Sequence, residues 1–172
     1  MLIRISDKEP QSPFYLSEDA TLIGDVRCKT MSSVWFKSVL RADINFIELG
    51  EYSNIQDLCA CHVTEELPCV IGDYVTVGHG AILHGCTVEN CVLIGMGSTV
   101  LDKAVIGEGS IIAAGTIIKE GVKIPPYSLV AGVPGAIKKV LGRESADHLK
   151  RHALSYVEYA TFMKEKSVVI RR

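Results

Sequence analysis

Bulky aliphatic residues recur every six positions through most of the chain: Leu49, Ile55 and Cys61, then Ile71, Val77 and Leu83, then Val88, Ile94, Val100, Ile106, Ile112, Ile118, Ile124 and Val130. Several are followed by glycine (Gly50, Gly72, Gly78, Gly95, Gly107), and the fifth place of a unit is often small: Cys59, Val75, Ala81, Thr87, Ser98, Ala104, Ser110. A helical period of 3.6 explains none of this. A six-residue period predicts a mainly β architecture, a parallel β-helix in which each unit is one short strand plus a turn and three units complete a coil. The opening aliphatic and the small residue point inward, and coils stack at strand spacing, ~4.8 Å.

Two defects interrupt the period. Cys61 to Ile71 is four residues too long, and Leu83 to Val88 is one too short. His62 and His84 each hold the second place of a unit, 22 residues apart, which is one 18-residue coil plus the four inserted residues. They are therefore expected to stack at one corner of adjacent coils, close enough to share a metal whose nitrogen bonds run ~2.0–2.1 Å. His79 lies on the preceding face, five residues before His84. An extended path of ~3.3 Å per residue carries it too far to join the same ion. A third ligand can then come from a neighbouring chain, and three equivalent flat faces would permit a closed cyclic trimer with one such site per interface.

Outside the repeat the pattern changes twice. Residues 1–20, with Pro10 and Pro13, read as an extended lead-in. Looser early coils follow, with Leu22, Ile23, Gly24, Val34, Val39 and Leu40 as interior positions and Trp35 and Phe36 as interface residues. Pro125, Pro126, Gly132, Pro134 and Gly135 predict a turn-rich closure. Beyond it Leu149, Ala153, Tyr156, Ala160 and Met163 recur at three- and four-residue steps, which predicts an amphipathic helix from an N-cap at Ser145 to about Lys166, packed along the prism or on a neighbour. The run Lys164, Glu165, Lys166 reads as its solvated face, and Arg171 and Arg172 as a frayed tail. The division is a β-helix domain over 1–140 and a helix with its tail over 141–172.

Composition narrows the function. With 18 Lys+Arg against 20 Asp+Glu the net charge is −2 over 172 residues, so nothing favours nucleic acid or an anionic membrane as partner. No apolar run approaches ~18 residues, and the N-terminus lacks a signal-peptide pattern. A cytoplasmic protein acting on a small molecule is expected. Of the six cysteines, Cys59 and Cys61 fall on inward positions as small apolar fillers, and Cys86 and Cys91 fall in turns. Cys59-Ala60-Cys61-His62 has the wrong spacing for a structural zinc knuckle.

Arg41-Ala42-Asp43, the run NIQD at 54–57, His62, VGHGAILHGC at 77–86, LIGMGS at 93–98 and GVP at 132–134 together resemble the γ-class carbonic anhydrase family, a branch of the hexapeptide-transferase-like and ferripyochelin-binding-like proteins. The resemblance runs over nearly the whole chain. It implies a left-handed parallel β-helix with a C-terminal α-helix, assembled as a homotrimer, against the usual right-handed crossover rule. It also implies that His62 and His84 ligate a metal from one subunit and His79 from its neighbour. Asn54 and Gln56 match residues lining the site, with Gln56 bonded to the metal-bound water. Arg41, Asp43 and Asp57 match a charged cluster across the subunit interface, and Tyr156 a helix tyrosine that reaches the pocket. Read on their own, Asn54 also suits a tight left-handed turn, Tyr156 plain helix core, and His148 and His152 ordinary helix positions.

The reaction implied is reversible hydration of carbon dioxide by a metal-bound hydroxide, a lyase activity. Three neutral imidazoles and an open coordination position hold a divalent cation, zinc first with iron or cobalt as alternatives, and bring the pKa of bound water to ~7. The sequence departs from well-known active members at Ile44, where they resemble a proton-shuttling glutamate, and in the short insertion after His62, where only Glu65 and Glu66 stand in for a longer acidic loop. Acyl-CoA thioester cleavage by a metal hydroxide, metal-free hexapeptide acyl transfer and a non-catalytic metal-binding trimer are the alternatives.

Overall fold

The structure, a computed structural model, describes residues 1–168; the expected tail at Arg171 and Arg172 and positions 169–170 lie outside the described residues. Two- and three-residue strands, each centred on an inward aliphatic, stack in register with the strand one coil away. One face is built from Tyr15–Leu16, Ser33–Val34, Asn54–Ile55, Thr76–Val77, Leu93–Ile94, Ile111–Ile112 and Ser128–Ala131, all parallel. A second runs from the first half of Thr21–Cys28 and of Val39–Leu49 through Ala60–His62, Ile82–His84, Thr99–Val100 and Ile117–Ile118. The third takes the second halves of the two long strands, then Cys69–Ile71, Thr87–Val88, Val105–Ile106 and Lys123–Ile124. About seven turns of parallel β-helix result.

The interior is a column of the repeat's own residues. Leu49, Ile55, Ile71, Val77, Leu83, Ile94, Val100, Ile106 and Ile112 are each 0% exposed, alternating with the small fillers Val75, Ala81, Ser98, Ala104 and Ser110. Alternation of side chains along a strand corrects three expectations. Leu22 and Leu40 point in, so Ile23 is only half-buried and Val39 is exposed. The small inward residue of the short unit is Cys86 and not Thr87, because the missing residue precedes it. Cys86 is therefore core beside Cys69 and Cys61, whereas Cys91 does sit in a turn with φ of 53°. Corners need a left-handed residue, supplied by Gly80 (φ +68°) in one coil and by Leu58 (φ 63°) in the coil before it. Asn54 is not such a residue; it lies in a strand.

The four inserted residues leave the stacking intact. They bulge out as a tight loop in which Thr64 N donates to Leu67 O (3.0 Å) and Leu67 N to Thr64 Oγ1 (3.0 Å). After the prolines the chain adds one strand absent from the repeat reading, Ala136–Val140, antiparallel to Ser128–Ala131.

The terminal helix, Glu144–Lys166, lies across the first face and buries Leu149, Ala153 and Ala160. Arg143, not Ser145, holds its N-cap position. Ser145 is inside the first turn, and its hydroxyl donates to Gly109 O (2.9 Å), tying the helix start to a coil corner. Trp35 is not a free interface residue: it is 8% exposed, packed between Tyr15 (4.9 Å) and Tyr156 (5.7 Å, edge to face), with Phe36 alongside. No helix among the described residues is long and apolar enough to cross a membrane.

Candidate metal centre

Strand register places His84 directly against His62, with Leu83 against Cys61 beneath them. The inserted loop is what makes this so: it absorbs four residues outside the stack, and both histidines end up where their strand turns the corner. His62 Nδ1 faces His84 Nε2 at 3.0 Å. Each ring is held from behind by a carboxylate, His62 Nε2 by Asp43 Oδ1 (3.1 Å) and His84 Nδ1 by Asp102 Oδ1 (2.5 Å). A carboxylate accepts, so each outer nitrogen carries its ring's proton. The two inner nitrogens then face one another at hydrogen-bond distance, an arrangement satisfied by one shared proton or by a metal ion between them. Tetrahedral zinc with bonds of ~2.0–2.1 Å holds two ligand nitrogens ~3.3 Å apart. The observed 3.0 Å is close to that bite, so the pair fits a metal ion.

His79 stands at the other edge of the same face, just before the strand that ends in His84. Its Nδ1 lies 2.7 Å from Asp57 Oδ2 as a close pair, and Asp57 Oδ1 accepts from Phe36 N (3.1 Å) in the coil before. A proton shared with that carboxylate would leave His79 Nε2 free, on a side chain that is 40% exposed. Among the described residues of one chain no three metal-binding side chains converge; two of the three histidines meet and the third lies across the face.

The charged residues divide in the same way. Arg41 pairs with Asp43 beside His62, and Asp57 belongs to His79. Burial works to raise the Asp43 pKa, but hydrogen bonds from Arg41 and His62 outweigh it and hold the carboxyl below its ordinary value. Asp102 was not singled out by the repeat. The signal was available, since it occupies the turn one coil after His84.

On the His79 edge, beneath the helix, lie the polar residues. Asn54 and Gln56 are 1% and 4% exposed; Asn54 Nδ2 donates to Thr76 Oγ1 (3.1 Å) and Gln56 Nε2 to Asn54 Oδ1 (3.3 Å). Gln56, Gly78, Tyr156 and His152 line a cavity of about 290 Å³. A cavity of about 310 Å³ adjoins it, lined by Asp57, His79, Trp35, Tyr159 and Phe162, and Tyr156 borders both. Burial first, then the charge of Asp57, pushes the Tyr156 phenol above its ordinary pKa, with the Gln56 amide acting the other way. Tyr156 is thus both helix packing and cavity wall. Glu65 and Glu66 are exposed in the loop on the opposite edge.

The repeat defines a hexapeptide-repeat β-helix whose paired imidazoles suit a metal, and known proteins share that repeat and fold. Residues 85–120 match the family described as bacterial transferase hexapeptide (six repeats). A Methanocaldococcus jannaschii protein named as a probable carbonic anhydrase is 50% identical over 143 residues, 83% of this chain and 90% of that one. The mitochondrial gamma carbonic anhydrase 2 of Arabidopsis thaliana is 37% identical over 167 residues, 92% of this chain and 60% of that protein. A solved Bacillus cereus structure, provisionally described as an acetyltransferase, superposes with a TM-score of 0.90 at 37% identity, covering 96% of this chain and 98% of that one. The chain belongs to the γ-class carbonic anhydrase family. It is a carbonic anhydrase-like enzyme, and membership implies a metal cofactor.

Proposed function

We propose that the chain forms a cyclic homotrimer in which His62 and His84 of one subunit and His79 of the next hold a divalent cation, zinc first, and that this site reversibly hydrates carbon dioxide. The observation that carries the reading is the disposition of three imidazoles, each backed by a carboxylate, on the two opposite edges of one flat face. A closed ring of such faces brings one edge against the other at every interface. When bound there, the cation supplies a nucleophilic water near neutral pH.

The chain's own residues then have defined work. Asp43 and Asp102, hydrogen-bonded to His62 and His84, and Asp57, close behind His79, favour the tautomers in which the ligand nitrogens stay unprotonated. Gln56, its amide oriented by Asn54, offers a directed hydrogen-bonding group at the cavity wall. Trp35, Tyr156 and Phe162 keep that wall apolar, which suits an uncharged substrate.

Metal-dependent thioester cleavage is the second reading, because a cavity of about 310 Å³ beside His79 exceeds what carbon dioxide fills. Elemental analysis with native mass of anaerobically purified protein, beside His79→Ala, tests the site. About one ion per subunit in a trimer, lost in the variant, is expected; a metal-free trimer indifferent to the substitution overturns the metalloenzyme reading. Hydration and thioesterase assays on the loaded trimer then separate the two reactions.

A further inference from the structure

We propose that His152, on the terminal helix, is the group that accepts the proton released in hydration and passes it to solvent. The inference rests on the carbonic anhydrase reading above. Hydration of carbon dioxide forms a carbon–oxygen bond to water, breaks a water O–H bond and leaves one proton for each bicarbonate. That proton must leave the site before the next turnover, and a positioned base does this best when its pKa lies near the working pH.

The edge that carries His62 offers no such base facing the cavity: the residue after Asp43 is Ile44, 49% exposed, and Glu65 and Glu66 project into solvent. The cavity wall has one. His152 lines the same cavity as Gln56 and Tyr156, and that cavity adjoins the one containing His79, since Gly78 borders the first and His79, the next residue, the second. Its Nδ1 lies 3.3 Å from Thr76 Oγ1. The Thr76 hydroxyl already accepts from Asn54 Nδ2, so its own hydrogen is free to point at the imidazole. The ring is anchored on its inner side while the residue as a whole is exposed outside, which gives it one face on the cavity and one on solvent.

The strand residues beneath His152 are Asn54, Gln56 and Thr76, none of which ionises; on the helix its titratable neighbours are His148 and Tyr156. Burial, then the charge of His148, lowers the His152 pKa from the ordinary 6.5. At pH 7 the ring is therefore neutral and able to receive, and it gives the proton up readily to a buffer base. The imidazole takes a proton on its unprotonated nitrogen, loses one from the other, and returns neutral.

The test uses the metal-loaded protein, with His152→Ala and, as control, His148→Ala. Isotope exchange between ¹⁸O-labelled carbon dioxide and water at equilibrium separates interconversion from proton-dependent release of labelled water. For His152→Ala the interconversion rate and kcat/KM are expected to hold while labelled-water release and kcat fall, roughly 10²-fold. Imidazole buffer should restore them, and His148→Ala, which removes only a secondary influence on the His152 ring, should leave the interconversion rate unchanged and cause no such loss. A second readout needs no turnover: proton NMR of the metal-free protein should show the His152 ring titrating below 6.5 and shifted by Thr76→Val. Unchanged water release in His152→Ala, or a loss that imidazole does not rescue, overturns the assignment while leaving hydration in place. So does a ring that titrates as free histidine and ignores Thr76→Val. A wild-type protein that exchanges no label at all removes the hydration reading itself.

Discussion

Replacing Asp57 by Asn changes one atom and should weaken the proposed metal site more than deleting the side chain does. Asp57 accepts from Phe36 N at 3.1 Å and lies 2.7 Å from His79 Nδ1, which makes it the group placed to take both N–H donors. An asparagine has one acceptor for these two donors. With its oxygen toward Phe36, its amide nitrogen faces His79 and forces Nδ1 to accept, which moves the ring proton to Nε2, the nitrogen proposed to bind the cation. With its oxygen toward His79, two N–H groups oppose one another at Phe36. Either arrangement forfeits about 1–3 kcal/mol, equivalent to roughly 5- to 150-fold in cation affinity. Loss of partners that orient ligating histidines costs ~10–100-fold in general, the same range. Asp57→Ala instead leaves water, which donates or accepts, beside a carboxylate site that is 33% exposed in the parent. Competition against a chromophoric chelator should therefore rank cation affinity as wild type, then Asp57→Ala, then Asp57→Asn. An Asp57→Asn protein that binds as tightly as wild type, or more tightly than Asp57→Ala, would refute the tautomer argument.

The core offers a second perturbation: Leu83 is 0% exposed between Cys61 and Val100 of the neighbouring coils, so Leu83→Ala should lower stability by about 2–5 kcal/mol in urea unfolding. A loss below about 1 kcal/mol would mean that the column beneath the histidines is not close-packed. The thiols give a third. Burial pushes Cys28 up to about 12, against a bond from Ser32, and Cys59 up to about 11. Thiolate appears only as pH climbs toward those values, so at pH 8 about one in 10³ to 10⁴ of these groups is reactive. A disulfide-exchange reagent should label them slowly in native protein and label all six cysteines together after denaturation; fast labelling of Cys59 in the folded state would contradict the packing.

The parts of the fold legible in the sequence are those where one period governs both chemistry and position. From Leu49 to Val130 inward residues could be counted off, because a six-residue unit leaves little freedom in where a side chain points. The count slipped at Thr87 because a one-residue deletion has no visible location inside its unit; burial puts it ahead of Cys86. Before Leu49 two long strands wrap corners without a break, so Val39 and Ile23 could not be phased from spacing alone and took their direction from Leu22 and Leu40. The N-cap failed for another reason. Ser145 is a good cap by residue type, but its hydroxyl is engaged by Gly109, 36 positions away, and a tertiary contact of that range leaves no local trace.

The candidate site shows the same division between what a repeat encodes and what a surface adds. The meeting of His62 with His84 follows from counting, since the inserted residues loop out and the 18-residue coil is conserved in space. Their separation from His79 follows as well: residues at the two ends of one flat face cannot converge within a rigid coil. Neither count names the carboxylates that stand behind the imidazoles. Asp43, Asp57 and Asp102 come from corners of three different coils, and which imidazole each one backs shows only once the coils are stacked. The cavity depends on the helix, whose placement of Tyr156 and His152 over Gln56 and Thr76 is set by Trp35 and Tyr15 packing beneath it. A substitution at Trp35 that lets the helix lift should thus disturb the cavity while leaving the His62–His84 pair untouched, because the two edges of the face share only the β-helix core.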